Sequence, residues 1–271
     1  MIYLDDLFGL SGHTAIVAGG AGAIGSVMSE ALLNAGANVI IWSRSDQSLS
    51  HVREKLMGAI DSPERLFTYR VDTAGEAEVA QALAHCQAEM GPADILINGV
   101  GGNMDKSDFV ETDLELFSRI LELNLMAGLM VTTKVVAAHW IKHKLKGSII
   151  NLASMASYNP LSGVWAYDAA KAAVLNLTTA AAKEFAAHGI RVNAIAPGFF
   201  LGKQNRSLLV DQETGELTAR GRAIIAHTPW GRFGDVSELA GVTLFLASAK
   251  ASGFVTGVCI PVDGGYLAHN I

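Results

Sequence analysis

Along the first hundred residues, short runs of aliphatic and β-branched side chains alternate with longer stretches whose apolar positions recur every three or four residues. TAIVAG (14–19), NVIIW (38–42), FTYRV (67–71) and DILIN (94–98) have the length and composition of buried strands. Between them the spacing predicts helices over about 24–35, 46–57 and 76–89. Strands joined through helices run parallel and need cover on both faces, so the pattern predicts a doubly wound α/β sheet. A long helical stretch, 113–144, leads to SIINLAS (148–154), and a further helix carries WAYDAAKAAV (165–174). IRVNAIAP (190–197), a helix near 237–247 and GVCIPVDGG (257–265) complete the pattern, for about seven strands.

No Pro/Ser-rich linker divides the chain, and the prediction is a single domain over 1–271. One region departs from the alternation. Residues 199–232 are charged, show no strand pattern and are too long for an ordinary connection, which suits a substrate-covering insertion or lid.

Half of the 271 residues are hydrophobic and 28 are Gly, the composition of a compact chain with a core. The apolar stretch 164–182 is interrupted by Asp168 and Lys171, and no membrane span is expected. The N-terminal MIYLDDLFGL has early acids and no basic region, unlike a secretory signal, so a cytoplasmic location is expected. A net charge of −6 without a basic run argues for a small-molecule partner rather than nucleic acid. Cys86 and Cys259 stand far apart with no CxxC or Cys/His cluster, so neither a disulfide framework nor a metal site is indicated.

Chemistry enters with AGGAGAIGS (18–26), which follows the first strand and opens a helix. Small residues at a helix N-terminus let a pyrophosphate approach backbone amides, so Gly19, Gly22, Ala23, Ile24 and Gly25 are candidate dinucleotide ligands; a tight turn without a ligand is the plainer alternative. At the end of the second strand an acid would hold a ribose 2′-hydroxyl, whereas a basic residue would attract a 2′-phosphate. Ser43 stands there with Arg44 after it, which favours NADP over NAD unless Arg44 is merely solvated. Asp72, closing the third strand, is either a partner for the adenine amino group or a strand-end cap.

Tyr167 and Lys171, four apart on a helix, share a face, close enough for an ammonium to act on a phenol. With the glycine turn, this YxxxK pair resembles that of the short-chain dehydrogenase/reductase family. The resemblance covers essentially the whole chain: AGGAGAIG, INGVGG (97–102), LNL around Asn124, Ser154, YDAAK, APG (196–198) and VDGG occur in the family's order. It implies a Rossmann-type fold with Asn124, Ser154, Tyr167 and Lys171 as the catalytic set. In that set Tyr167 is the general acid/base, Ser154 bonds the substrate oxygen, Lys171 stabilises the phenolate together with the nicotinamide ring, and Asn124 holds a helix open for a water-linked proton relay. Asn98, Gly99, Val100, Pro197 and Gly198 join the glycine turn, Tyr167 and Lys171 as implied cofactor contacts. The chain departs from the family pattern at Ala18, Ala23, Gly99, Val100 and Gly202, which bears on cofactor seating rather than on the chemistry.

LINGVGGN together with the 199–232 segment resembles the D-mannonate oxidoreductase (D-fructuronate reductase) subgroup, to which gluconate 5-dehydrogenases are close. A sugar acid needs cationic and amide donors, and Asn103, Lys203, Asn205, Arg206 and His227 are candidates beside Ser154, each with a solvated surface role as its alternative. Asp211, Glu213 and Glu216 oppose a positive funnel. A reductase of another carbonyl, such as 5-ketogluconate or a 3-oxoacyl thioester, and a non-catalytic dinucleotide sensor are the other readings. The family resemblance also implies a homotetramer.

Overall fold

The computed structural model describes residues 2–104, 106–202 and 206–269. Its seven strands are β1 (Thr14–Ala18), β2 (Asn38–Ser43), β3 (Leu66–Arg70), β4 (Ile95–Asn98), β5 (Gly147–Leu152), β6 (Ile190–Pro197) and β7 (Cys259–Val262). They form one sheet in the order β3-β2-β1-β4-β5-β6-β7, parallel throughout. The helices are α1 (Ile2–Phe8), α2 (Ala23–Asn34), α3 (Asp46–Met57), α4 (Glu76–Met90), α5 (Leu114–Leu121), α6 (Val131–His143) and α7 (Trp165–Phe185), then the shorter α8 (Arg206–Leu209), α9 (Ala219–Ala226), α10 (Ala240–Ala247) and α11 (Ala249–Ser252).

Strand periodicity of two explains why the sheet is covered twice. Ala15, Val17, Ile41 and Ile97 point to one face and pack with Met28 and Leu32 of α2, Leu49 and Val52 of α3 and Leu246 of α10. Ile16, Ile40, Trp42 and Leu96 point to the other, against Val79 and Leu83 of α4, Val136 and Trp140 of α6 and Ala182 of α7. Trp140 is fully buried, its indole donates to the Ala93 carbonyl at 2.7 Å, and a side chain at Gly147 would meet its ring at 2.4 Å. This is the single doubly wound domain expected from the alternation.

Two stretches differ from their sequence pattern. The 113–144 region is not one α-helix: between α5 and α6 the residues Glu122–Met130 form a π-helical segment. The continuous span 114–143 also has the length and hydropathy of a membrane-crossing helix, contrary to the reading that no stretch is apolar enough. About half of its apolar window is buried, with Val131, Val136, Ala137 and Trp140 packing α6 beneath the sheet. The 199–232 stretch, read as showing no strand pattern, contains α8 and α9 and an isolated antiparallel bridge between Val210 and Leu217. Thr218 caps α9 by accepting from the Gly221 amide at 3.0 Å, a cap residue before a helical run that ranks as the local signal for this helix.

Candidate active site

The C-terminal ends of β1, β4, β5 and β6 border a cleft of about 320 Å³, where open parallel sheets place their ligands. Gly19, Gly22, Ala23, Ile24 and Gly25 form one side of it, Gly99, Gly101 and Gly102 a second, and Ser154, Tyr167 and Lys171 a third; Pro197, Gly198, Phe199, Phe200, Gly202 and Val236 close it.

On the glycine side the backbone itself is presented. Gly19 has φ +77°, and a side chain there would stand 2.7 Å from the Gly99 carbonyl. A side chain at Gly25 would stand 2.4 Å from the Gly19 oxygen. Gly22 is the N-cap of α2 and offers no side chain to the first-turn amides, which leaves them for an anion. Ala23, where the family pattern has glycine, is exposed and lines the cleft. A cradle that excludes side chains and presents helix amides fits a dinucleotide pyrophosphate.

The catalytic side is built by interlocking bonds. Ser154 ends the loop after β5 as the cap of a one-turn helix, Met155–Ser157: its Oγ accepts from the Ala156 amide at 3.1 Å, and Ser157 Oγ accepts from the Ser154 amide at 3.3 Å. Ser157 Oγ in turn donates to the Lys171 carbonyl at 2.7 Å, tying this turn to α7. Lys171 is buried, donates from Nζ to the Leu152 carbonyl at 2.7 Å, and lies 5.6 Å from the centre of the Tyr167 ring. Burial brings its ammonium down to about 8.

For the Tyr167 phenol, burial is the largest influence and pushes it above its ordinary value; the hydrogen bond with Ser154 draws it down, and the Asp168 carboxylate adds to the rise. Ser154 is the group that draws the phenol down, and burial outweighs it. Asp168 is itself buried, with one oxygen accepting from the Leu161 amide at 3.2 Å and the other without a partner, and burial raises its carboxyl.

Asn124 lies in the π segment and is buried. Its Nδ2 donates to the carbonyls of Gly102 (2.7 Å) and Ile120 (2.9 Å), while its Oδ1 accepts from the Gly102 amide at 3.0 Å. The side chain thus takes over the Ile120 carbonyl and pairs with the loop after β4. A side chain at Gly101 would collide with Asn124 Oδ1 at 2.6 Å, and one at Gly128 with the Val100 carbonyl at 2.6 Å, so small residues are required on both sides of this contact.

Other expected cofactor residues are placed differently. The Asn98 side chain points into the interior, donating to Thr133 Oγ1 and Asn151 Oδ1 at 2.9 Å each and accepting from Thr132 Oγ1 at 2.6 Å. It is a strut under the cleft and has no amide left for a ligand. Val100 packs into the core beside the π segment and does not line the cleft. Asp72 behaves as the strand-end cap, Oδ1 accepting from the Ala74 amide at 3.1 Å. Ser43 and the exposed Arg44 stand at the end of β2, beyond the cleft lining.

Of the substrate candidates, Asn103 borders a small adjoining cavity with Phe117, Ile120 and Trp165. Arg206 and His227 are not among the cleft-lining residues; the His227 ring stacks edge-on with His269 at 5.3 Å. Lys203 and Asn205 lie outside the described residues. Sequence reasoning missed Ser157, whose three-residue spacing from Ser154 is the available signal, and the aromatic wall of Phe199 and Phe200, for which the preceding APG was the marker.

The comparisons with known proteins agree with this geometry. A family described as enoyl-(acyl carrier protein) reductase matches residues 19–267. The uncharacterised oxidoreductase UxuB of Bacillus subtilis is 36% identical over 96% of this chain and 97% of its own. Among solved structures, a gluconate 5-dehydrogenase from Burkholderia cenocepacia in complex with NADP and tartrate superposes with a TM-score of 0.87 at 31% identity, covering 98% of this chain and 100% of that one. A Haemophilus influenzae protein described as a D-mannonate oxidoreductase, with bound NAD, gives a TM-score of 0.87 at 31% identity over 98% and 99%. The fold, the glycine cradle and the Ser/Tyr/Lys corner together place the chain in the short-chain dehydrogenase/reductase family. It is an oxidoreductase of that family, similar throughout its length to proteins that handle sugar acids.

Proposed function

We propose that the protein is an NAD(P)-dependent oxidoreductase that interconverts a ketone and a secondary alcohol on a sugar acid. The observation that carries this is the convergence of Ser154, Tyr167 and Lys171 on a cleft whose opposite wall is the glycine cradle. Gly19, Gly22 to Gly25, Gly99, Pro197 and Gly198 would hold the dinucleotide, which when bound supplies or accepts the hydride.

The chain's own residues handle the proton and the oxygen. Ser154 Oγ already accepts from the Ala156 amide, so its own proton is left to donate toward a substrate oxygen or Tyr167. Tyr167 Oη gives its proton to the carbonyl oxygen during reduction and recovers one from the alcohol in the reverse direction. Lys171, anchored on the Leu152 carbonyl, keeps a cation beneath the phenol and holds charge against the developing phenolate. Asn124 fixes the Gly101–Gly102 wall that meets Lys171. The 199–232 segment covers the substrate end of the cleft as a lid. NADP is preferred over NAD through Arg44, and the assembly is a homotetramer.

Two sugar acids compete as substrate. Sequence likeness favours a D-fructuronate/D-mannonate pair, supported by the Haemophilus influenzae neighbour; the Burkholderia cenocepacia neighbour supports a 5-ketogluconate/gluconate pair. The test is oxidation of NADPH, then NADH, by purified protein with D-fructuronate, 5-ketogluconate and an acetoacetyl thioester, followed by absorbance. Rapid turnover of one sugar acid is expected. Preference for the thioester, or no turnover with the dinucleotide bound, would overturn the reading in favour of an acyl reductase or a sensor respectively.

A further inference from the structure

Arg44 is half of a pair. In the β2–β3 register Ser43 lies opposite Arg70, so the last residue of the edge strand sits beside the end of β2. Arg70 Nε donates to the Arg44 carbonyl at 3.2 Å, and an Arg70 terminal nitrogen lies 3.8 Å from the Asp46 carboxylate on the first turn of α3. Among the described residues no hydrogen bond or ion pair engages the Arg44 guanidinium.

We infer that Arg70 is a second specificity-determining residue for the 2′-phosphate of NADP and that Asp46 is the counter-ion this phosphate displaces. The inference rests on the proposed use of a nicotinamide dinucleotide with Arg44 at its adenosine end.

Three observations lead there. The Arg70–Asp46 pair is long and open, with side chains 67% and 76% exposed, and such pairs contribute little to a fold, so stability does not account for it. The N-terminus of α3 is already capped, Ser45 Oγ accepting from the Ser48 amide at 3.2 Å, so the positive character near Arg44 comes chiefly from the two guanidinium groups. Finally, Asp46 is an acid two residues beyond Arg44, where it would repel a phosphate; Arg70 stands against it and screens that charge. A dianionic phosphate offers Arg70 more charge and better-oriented acceptors than a carboxylate at 3.8 Å, so exchange of one anion for the other is favourable.

The experiment is equilibrium binding by calorimetry of adenosine 2′,5′-bisphosphate and of 5′-AMP to the full-length protein, repeated for Arg44→Gln, Arg70→Gln, Arg70→Lys and Asp46→Asn. Arg70→Gln is expected to weaken the bisphosphate about tenfold, the loss of one charge-assisted contact, while leaving 5′-AMP unchanged. Arg70→Lys is expected to recover part of that loss, and Asp46→Asn to tighten the bisphosphate. If Arg44→Gln is selective and Arg70→Gln is not, the role of Arg70 is overturned while the NADP preference stands. If the wild type binds both nucleotides equally, the NADP preference fails and the role of Arg70 with it.

Discussion

The catalytic end of α7 and the segment from 199 to 232 border the same cleft, yet they are made in opposite ways. At the first, Lys171, Ser154, Ser157 and Asn124 are joined by short bonds to backbone groups of β5, α5, α7, the turn after β5 and the loop after β4. Along the second, most side chains of α8, the Val210–Leu217 bridge and α9 are exposed, and the bonds are local, such as those from Asp211 Oδ1 to the amides of Glu213 and Thr214. Under the proposed function, the chemistry is held by burial and long-range contacts, and substrate recognition is assigned to the more exposed segment.

Tyr167→Phe tests the first half of the contrast most severely. It is expected to lower kcat by about 10² to 10⁴ while leaving dinucleotide affinity intact. Retained turnover would remove the phenol from the mechanism and leave the buried corner as scaffold.

Lys171→Met is expected to cost nearly as much rate and to leave a second signature in stability. The folded ammonium titrates near 8, below its ordinary 10.5, so between about pH 8 and pH 10 the unfolded chain binds the extra proton and stability rises with pH. Thermal unfolding across that window should show the rise in the wild type and lose it in Lys171→Met. A rise that persists would mean the lysine is not held in a dry site.

Asp168→Asn sharpens the comparison at smaller scale. Removing a carboxylate that raises the phenol is expected to move the tyrosine-dependent limb of the kcat profile to lower pH, with the Leu161 contact preserved by the remaining carbonyl oxygen. A change in stability with no movement of the profile would make Asp168 a packing residue alone. Smallest of all, Arg206→Ala, an exposed position outside the cleft lining, is expected to change kcat/KM by no more than about twofold. A large loss of kcat there would break the contrast by placing chemistry on the exposed side.

Much of this was legible in the chain because the signals were physical at short range. Ile16 and Val17, or Ile40 and Ile41, alternate between two apolar faces, which only a sheet covered twice can satisfy. The Tyr167/Lys171 pair needs nothing beyond helical spacing to be placed. The π segment was not visible in periodicity, because its cause is a contact between Asn124 and Gly102 that are 22 residues apart. Asn98 was read as facing a ligand because a motif names the residue but not the face of the strand that its side chain leaves. The helices of 199–232 escaped notice because, among the described residues, only Phe200, Leu209, Gly221, Ile224 and Thr228 are buried across that stretch, too few to make a periodic stripe.

The amide of Asn124 has a consequence in chemical ageing. Both of its N–H groups are donated to carbonyls and its oxygen accepts from an amide, so the side chain functions as a peptide group inserted between helix and loop. Hydrolysis to a carboxylate would change only one atom but would set oxygen against the carbonyls of Gly102 and Ile120 with no proton to offer. Buried, helical and bonded at both ends, that side chain is held away from the backbone geometry such damage requires, so the bonds that shape the site also hold the amide intact.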